Sequence, residues 1–255
     1  MTHEPAAAPS VLWKAFGVLA AFSRQDRVLT LAEIARRSGL PKSTAHRVLA
    51  MLAEAGAVEQ GEGGYRLGLR MFSLGALSPE AGLREAAMVH LEWLHRVTGQ
   101  TLHLAVLRGD EVVYLEKLTS RVRVESPAAI GYRMPATCTA VGKAMLAFSG
   151  EKSETDVLAR PLARRTATSV RTVGALREHF AATRDRGYAT DREESARGLA
   201  CVAVPVLVGG RPVAAISVAF PAAAGTGDVL VGPLREAAAA IAASPAVRRA
   251  ASLTI

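Results

Sequence analysis

The stretch Leu29-Thr30-Leu31-Ala32-Glu33-Ile34-Ala35-Arg36-Arg37-Ser38-Gly39-Leu40-Pro41-Lys42-Ser43-Thr44-Ala45-His46-Arg47-Val48-Leu49 decides the fold of the first part of the chain. Thr30 stands three residues before Glu33. In that spacing the hydroxyl and the carboxylate satisfy the amides left over at a helix start, the pattern of a capping box. The periodicity predicts a helix over about 31–37. Ser38-Gly39-Leu40 then makes a tight turn, since glycine supplies the left-handed backbone that many helix ends require. Pro41 fits the first turn of a following helix, where its missing N–H costs nothing. Two helices joined by so short a turn form a helix-turn-helix.

In the next helix, about 41–55, Ala45, Val48, Leu49 and Leu52 make the apolar stripe. Ser43, His46, Arg47 and Ala50 stand opposite, flanked by Lys42 and Thr44. A short, polar and basic face near a helix N-terminus suits insertion into a major groove. Lys42, Ser43, Thr44 and His46 are the candidates for base-edge contacts, and Arg47 for a base or a phosphate. An ordinary solvated helix face would carry the same residue types.

Working outward, Leu12, Ala15, Phe16, Leu19 and Phe22 recur at helical spacing and predict a first helix with these residues on one stripe. Downstream, Ala57 to Gln60 reads as a strand, Gly61 to Gly64 as a hairpin turn and Tyr65 to Leu67 as the return strand. Arg66, near the tip of this wing, is placed to follow a phosphate backbone. Three helices and a hairpin within about 70 residues form a winged helix-turn-helix that binds double-stranded DNA.

The 255 residues suffice for two domains. Half are hydrophobic and only 5% aromatic, which implies folded cores built from small aliphatic side chains. A formal charge of +8 implies an anionic partner, nucleic acid first and an acidic membrane surface second. No apolar run approaches the ~20 residues of a bilayer span. The stretch from Val11 to Phe22 contains Lys14 and follows Glu4, so it fits neither a span nor a signal peptide, and a cytoplasmic location is expected. Cys138 and Cys201 lack the spaced partners of a zinc or redox motif and read as free buried thiols.

After the wing, Gly68 to Leu77 reads as a linker helix stopped by Pro79, and Leu83, Ala87, His90, Leu91, Leu94 and Val97 give a further helical stripe. Strands are predicted over 102–107 and 112–117, then near 122–126, 201–207 and 213–219, with a C-terminal helix carrying Leu230, Leu234, Ala237, Ala238 and Ile241. Hairpins interleaved with helices argue for an α+β domain with a mostly antiparallel sheet flanked by helices. The expected organisation is a tail over 1–9, the winged helix-turn-helix over 10–68, the linker helix over 69–80, a second domain over 81–247 and a tail over 248–255. Residues Thr137 to Gly142 lead into a helix over 140–148 with small side chains. That start is either an open anion site made of backbone amides or a capped and closed one.

Leu29 to Ala35, Ser38 to Thr44 and His46 to Leu49, with Leu52, Gly56 and Tyr65-Arg66-Leu67-Gly68, resemble the IclR family of bacterial transcriptional regulators. The likeness continues through Thr101 to Leu107, Val112 to Lys117, Thr139-Ala140-Val141-Gly142-Lys143-Ala144-Met145-Leu146-Ala147, Gly187 to Glu194 and Gly198 to Val206. The resemblance implies a GAF-like effector-binding domain, with the ligand between the 137–142 loop and the far strands. By motif position the effector-binding residues it implies are Thr137, Ala140, Val141, Gly142, Asp191, Cys201, Ser217 and Ala219. Ala219 stands where relatives that bind small keto acids often carry a second serine, and Thr137 replaces a frequent histidine. Part of the polar grip therefore differs, and a larger or more apolar acid with a hydroxyl or amine at its far end would suit Asp191.

The function these features imply is a ligand-responsive regulator, expected to be a repressor, that binds a DNA operator and a small organic acid. The resemblance further implies a homodimer or homotetramer, with contacts through the DNA-binding and linker helices and between effector domains. No cofactor, metal, catalytic residue or membrane partner is expected. One competing reading is an enzyme with a DNA-binding head and Cys201 or Cys138 as nucleophile, but no phosphate loop, zinc motif or nucleophile elbow accompanies it. The other is a sequence-indifferent nucleoid protein, which explains the charge and leaves the second domain unexplained.

Overall fold

The computed structural model describes residues 10–121 and 124–252, and these fall into two units that divide after Ser78. The expected N-terminal tail over 1–9 lies outside the described residues.

The first unit holds α1 (Val11–Leu19), α2 (Leu31–Ser38), α3 (Lys42–Glu54), the antiparallel hairpin β1 (Val58–Gly61) and β2 (Gly64–Leu67), and α4 (Leu69–Gly75). The capping box forms: the Glu33 amide donates to Thr30 Oγ1 at 3.3 Å and the Thr30 amide to Glu33 Oε2 at 2.8 Å. Gly39 ends α2 with φ 68°. Pro41 lies one residue earlier than expected, as the extended residue that precedes α3. Leu29 and Tyr65 exchange backbone hydrogen bonds, which ties the turn before α2 to the wing. This contact requires Gly64, because a Cβ there would sit 2.3 Å from the Leu29 carbonyl oxygen.

The first helix departs from the expected stripe. Val18 is fully buried and Ala15 and Leu19 pack beside it, whereas Leu12 and Phe16 are 69% and 66% exposed. The helix is apolar on two sides, so periodicity alone did not reveal which side meets the core. Phe22 packs on the core from beyond the helix end. The linker helix stops at Gly75, and Pro79 opens the next helix instead of ending a run, as a proline in a first helical turn is able to do.

The second unit holds α5 (Pro79–Thr98), β3 (Thr101–Arg108), β4 (Glu111–Leu118), β5 (Arg133–Pro135), α6 (Ala140–Leu146), α7 (Glu151–Leu158), α8 (Val173–Arg186), β6 (Ala189–Arg192), β7 (Leu199–Val208), β8 (Arg211–Pro221), α9 (Val231–Ala243) and α10 (Pro245–Ser252). Six strands run in the order β5-β4-β3-β8-β7-β6, every neighbouring pair antiparallel. The strand expected near 122–126 is absent over 124–126, and 122–123 lie outside the described residues. The short strands β5 and β6 were not expected, and α10 occupies residues 248–252, where a tail was.

Strand alternation splits the core into two layers. Leu104, Val202, Ile216 and Val218 face α5 and α9, where Leu91, Leu94, Leu234 and Ile241 meet them. The other face carries the smaller Ala105, Ala203, Ala215 and Ala219, and packs with α6 and α8 through Met145, Leu146 and Phe180. These small side chains let α6 lie close, and all seven of its residues are buried. Gly142 sits at the tightest point, since a Cβ there would be 2.2 Å from the Ala136 carbonyl oxygen. No helix of the described residues is long and apolar enough to cross a membrane.

Candidate functional site

The first unit presents one polar face. On α3, Ala45, Val48 and Leu49 are buried, which turns Lys42, Ser43, His46 and Arg47 outward, with Thr44 half-buried. Arg66 is exposed but engaged: its Nε and Nη2 reach Glu59 Oε2 at 2.9 and 2.8 Å. It lies opposite Glu59 in the hairpin register, behind the Glu62-Gly63 turn and not at the tip itself.

The second unit encloses a cavity between α6 and the sheet. Of the residues expected there, Ala140, Val141, Asp191, Cys201 and Ser217 line it; Thr137, Gly142 and Ala219 do not. Thr137 is buried in the turn before α6, Gly142 is pressed on Ala136, and Ala219 is covered on the same sheet face farther along β8. The start of α6 is closed: the Gly142 amide donates to Thr139 Oγ1 at 3.2 Å, which is the capped alternative and not the open anion site.

His103 forms the polar centre of this cavity and was not among the expected residues. It pairs in register with Ser217, whose hydroxyl lies 3.3 Å from His103 Nδ1, and Ser126 Oγ lies 3.3 Å from Nε2. The Tyr114 ring meets the imidazole edge-on with centroids 5.3 Å apart. Burial, aided by the Lys117 charge, pushes the imidazole down to about 3, so it is neutral and offers one donor and one acceptor. The Lys117 ammonium donates to the carbonyls of Ser126 (3.2 Å) and Ala128 (2.9 Å), fastening the segment that carries Ser126. A signal for His103 existed in the sequence: it is the lone imidazole at an inward-facing position of an apolar strand.

Asp191 reaches the cavity with its oxygens already engaged. Oδ1 accepts from the amides of Glu194 (2.8 Å) and Ser195 (3.3 Å), and the Ser195 hydroxyl donates to Oδ2. Burial raises this carboxyl to about 6, against the lowering by the Ser195 hydrogen bond. The side chain thus caps its own turn and is less available to a ligand than its sequence position suggested. Behind it, the buried Lys143 of α6 pairs with Glu194 at 2.5 Å. Burial raises both thiols, Cys138 to about 12 and Cys201 well above its ordinary value. Neither supplies the thiolate that a nucleophile needs. Among the described residues no cationic side chain lines the cavity, whose free space holds about one water molecule.

A winged helix-turn-helix carried on the same chain as a sheet domain with an enclosed, polar-centred cavity has the build of a transcriptional regulator that senses a small molecule. Residues 11–62 match the IclR helix-turn-helix domain and residues 76–243 the bacterial transcriptional regulator IclR C-terminal domain. The chain belongs to the IclR family of bacterial transcriptional regulators. It is 37% identical to the HTH-type transcriptional regulator XynR of Escherichia coli over 76% of this chain and 78% of that protein. It is 34% identical to the E. coli HTH-type transcriptional regulator KdgR over 87% and 85% of the two chains. Among solved structures, an IclR homologue from Microbacterium hydrocarbonoxydans complexed with 4-hydroxybenzoate superposes with a TM-score of 0.86 at 32% identity, covering 94% of this chain and all of that one.

Proposed function

We propose that this regulator is a repressor whose operator binding is set by a small organic acid held in the His103 cavity, and that it works as a dimer. Lys42, Ser43, Thr44, His46 and Arg47 are assigned to the major groove and Arg66 to the phosphate backbone. The supporting feature on α3 is its outward turn of short polar and basic side chains at the N-terminal end. The Arg66–Glu59 pair is exposed and screened by solvent, so exchange of the carboxylate for a phosphate costs little.

The observation that carries the ligand assignment is the chain of hydrogen-bonding groups Ser217, His103 and Ser126 inside walls that are otherwise mainly apolar. With neutral His103 and no cation among the described lining residues, the cavity favours a ligand that donates and accepts hydrogen bonds over one gripped by charge. A phenolic or hydroxy acid fits this chemistry, and the related Microbacterium protein is complexed with 4-hydroxybenzoate. Because the free space is so small, a ligand of that size enters only if α6 or the Ser126 segment moves. Binding therefore prefers a conformation distinct from the closed one, which is the condition for a ligand to act on DNA affinity.

The test is a thermal-shift screen of hydroxy, keto and phenolic acids, followed by calorimetry on Ser217→Val and His103→Phe. The expected result is a hit that weakens operator binding and loses affinity in both variants. A hit bound equally well by both would place the effector elsewhere.

A further inference from the structure

We propose a second small-molecule site in the C-terminal unit, on the α5 side of the sheet and separate from the His103 cavity, built for a small carboxylate with an apolar body. A cavity of about 180 Å³ lies between the start of α5, the end of β3, the start of β8 and α10. Leu83, Val106, Val213 and Val247 contribute its apolar walls. An apolar cavity of ~150 Å³ accepts benzene, so this one has room for a single ring or a short branched chain.

Two guanidinium groups belong to the same cavity, and they differ in what holds them. Arg108 is paired with Glu80, which also lines the cavity, and donates to its neighbour Leu107's carbonyl at 2.8 Å. Arg211 is exposed at the β7–β8 hairpin, where its backbone pairs with Val208, and its guanidinium makes no hydrogen bond or ion pair with any described residue. A guanidinium is suited to bidentate capture of a carboxylate, and an apolar bowl beside it takes the remainder of an amphiphilic acid. The ligand carboxylate meets Arg211 first and then competes with Glu80 for Arg108. The contrast with the His103 cavity is chemical: among the described residues no cation lines that one, and this one has the Arg211 guanidinium.

Glu80 lies in the first turn of α5, two residues after the point where the chain divides into its two units. A ligand that loosens Glu80 from Arg108 therefore acts on the turn into which the DNA-binding unit is joined. That gives the site a route to operator affinity independent of the inner cavity.

The experiment is calorimetry of the full chain with phenylacetate, whose ring matches the cavity and whose carboxylate sits on a short arm. Saturable binding is expected, weakened at least about tenfold in Arg211→Glu and in the cavity-filling Val213→Trp, and unchanged in Ser217→Val. Arg211→Gln, which keeps the size and polarity of this exposed side chain, guards against misfolding and is expected to weaken binding as well. Absence of saturable binding to wild type up to ~10 mM, or equal affinity in the Arg211 variants, overturns the proposal. Loss in Ser217→Val alone also overturns it, by placing phenylacetate in the inner cavity, and leaves the proposed effector site standing.

Discussion

Lys143 Nζ lies 2.5 Å from Glu194 Oε1, with the lysine side chain fully buried and the glutamate nearly so. The pair joins α6 to the β6–β7 loop immediately behind the cavity wall, since Glu194 and Ser195 together donate to Asp191. The same loop is fastened from outside by Ser169 and Thr166, whose hydroxyls donate to the carbonyls of Glu194 (2.8 Å) and Glu193 (2.7 Å). Removing one partner leaves a buried uncompensated charge, which costs about 3–5 kcal/mol, whereas replacing both with apolar side chains is far milder. Lys143→Met and Glu194→Leu are each expected to lose that much in urea unfolding, and the double variant to recover most of it. Single losses under about 1 kcal/mol would mean that the pair is not buried in solution.

The Asp191 carboxyl supplies a pH test. Its folded value of about 6 lies above its ordinary value of 3.8, so the folded state holds this proton more tightly than the unfolded one. Its contribution to stability is therefore full below 3.8 and is lost as pH rises through about 6. Asp191→Asn has no such titration and retains an acceptor for the Glu194 and Ser195 amides. Measured by denaturant unfolding, the difference between variant and wild type is expected to move in favour of the variant, by on the order of 3 kcal/mol, between about pH 4 and about pH 8. A flat difference would show that the carboxyl is solvated.

How much of this was legible in the sequence depended on whether the signal was local. The capping box at Thr30 and Glu33, the turn at Gly39 and the wing hairpin around Gly63 are set by neighbouring residues, and the structure has them all. Cys201 and Ser217 were implied at the cavity by the family resemblance, and strand alternation turns both side chains to its wall. His103 was legible only as an inward-facing polar residue; its partner Ser217 is 114 residues away, and only the β3–β8 register brings them together. Lys143 was hidden for a different reason: a lysine on a short helix reads as solvent-facing until Glu194, 51 residues on, provides its counter-charge. The mistaken stripe on α1 came from a helix apolar on two sides, where the sequence offers no means of choosing.

The α3 face predicts two kinds of DNA variant. Arg47→Ala and Lys42→Ala are expected to weaken a selected operator by about 1–3 kcal/mol while changing random duplex less, as loss of a base contact does. Arg66→Ala is expected to weaken both about equally and to lower the salt dependence by about one charge, as loss of a phosphate contact does. Fluorescence anisotropy with both duplexes over a range of salt separates the outcomes. Operator affinity unchanged in Arg47→Ala would remove α3 from the groove.

The second apolar side of α1 bears on assembly. Leu12, Trp13 and Phe16 are all more than half exposed, with Trp13 at 76%, on a helix whose other side, with Val18 and Ala15, already fills the core of its own unit. A contiguous patch of large apolar side chains is costly to leave in water, and a second copy of the same helix offers a self-complementary cover. Neither Trp13 nor Phe16 belongs to the buried core, so a charge at either position leaves the fold of the unit intact. Trp13→Glu and Phe16→Glu are accordingly expected to shift the protein toward monomer in sedimentation velocity, with unchanged helical content by circular dichroism. Loss of the dimer also removes simultaneous engagement of two half-sites, so binding to a palindromic operator is expected to fall toward that of a single half-site. If both variants sedimented as wild type, α1 would not be the dimer contact, and the face would need another partner.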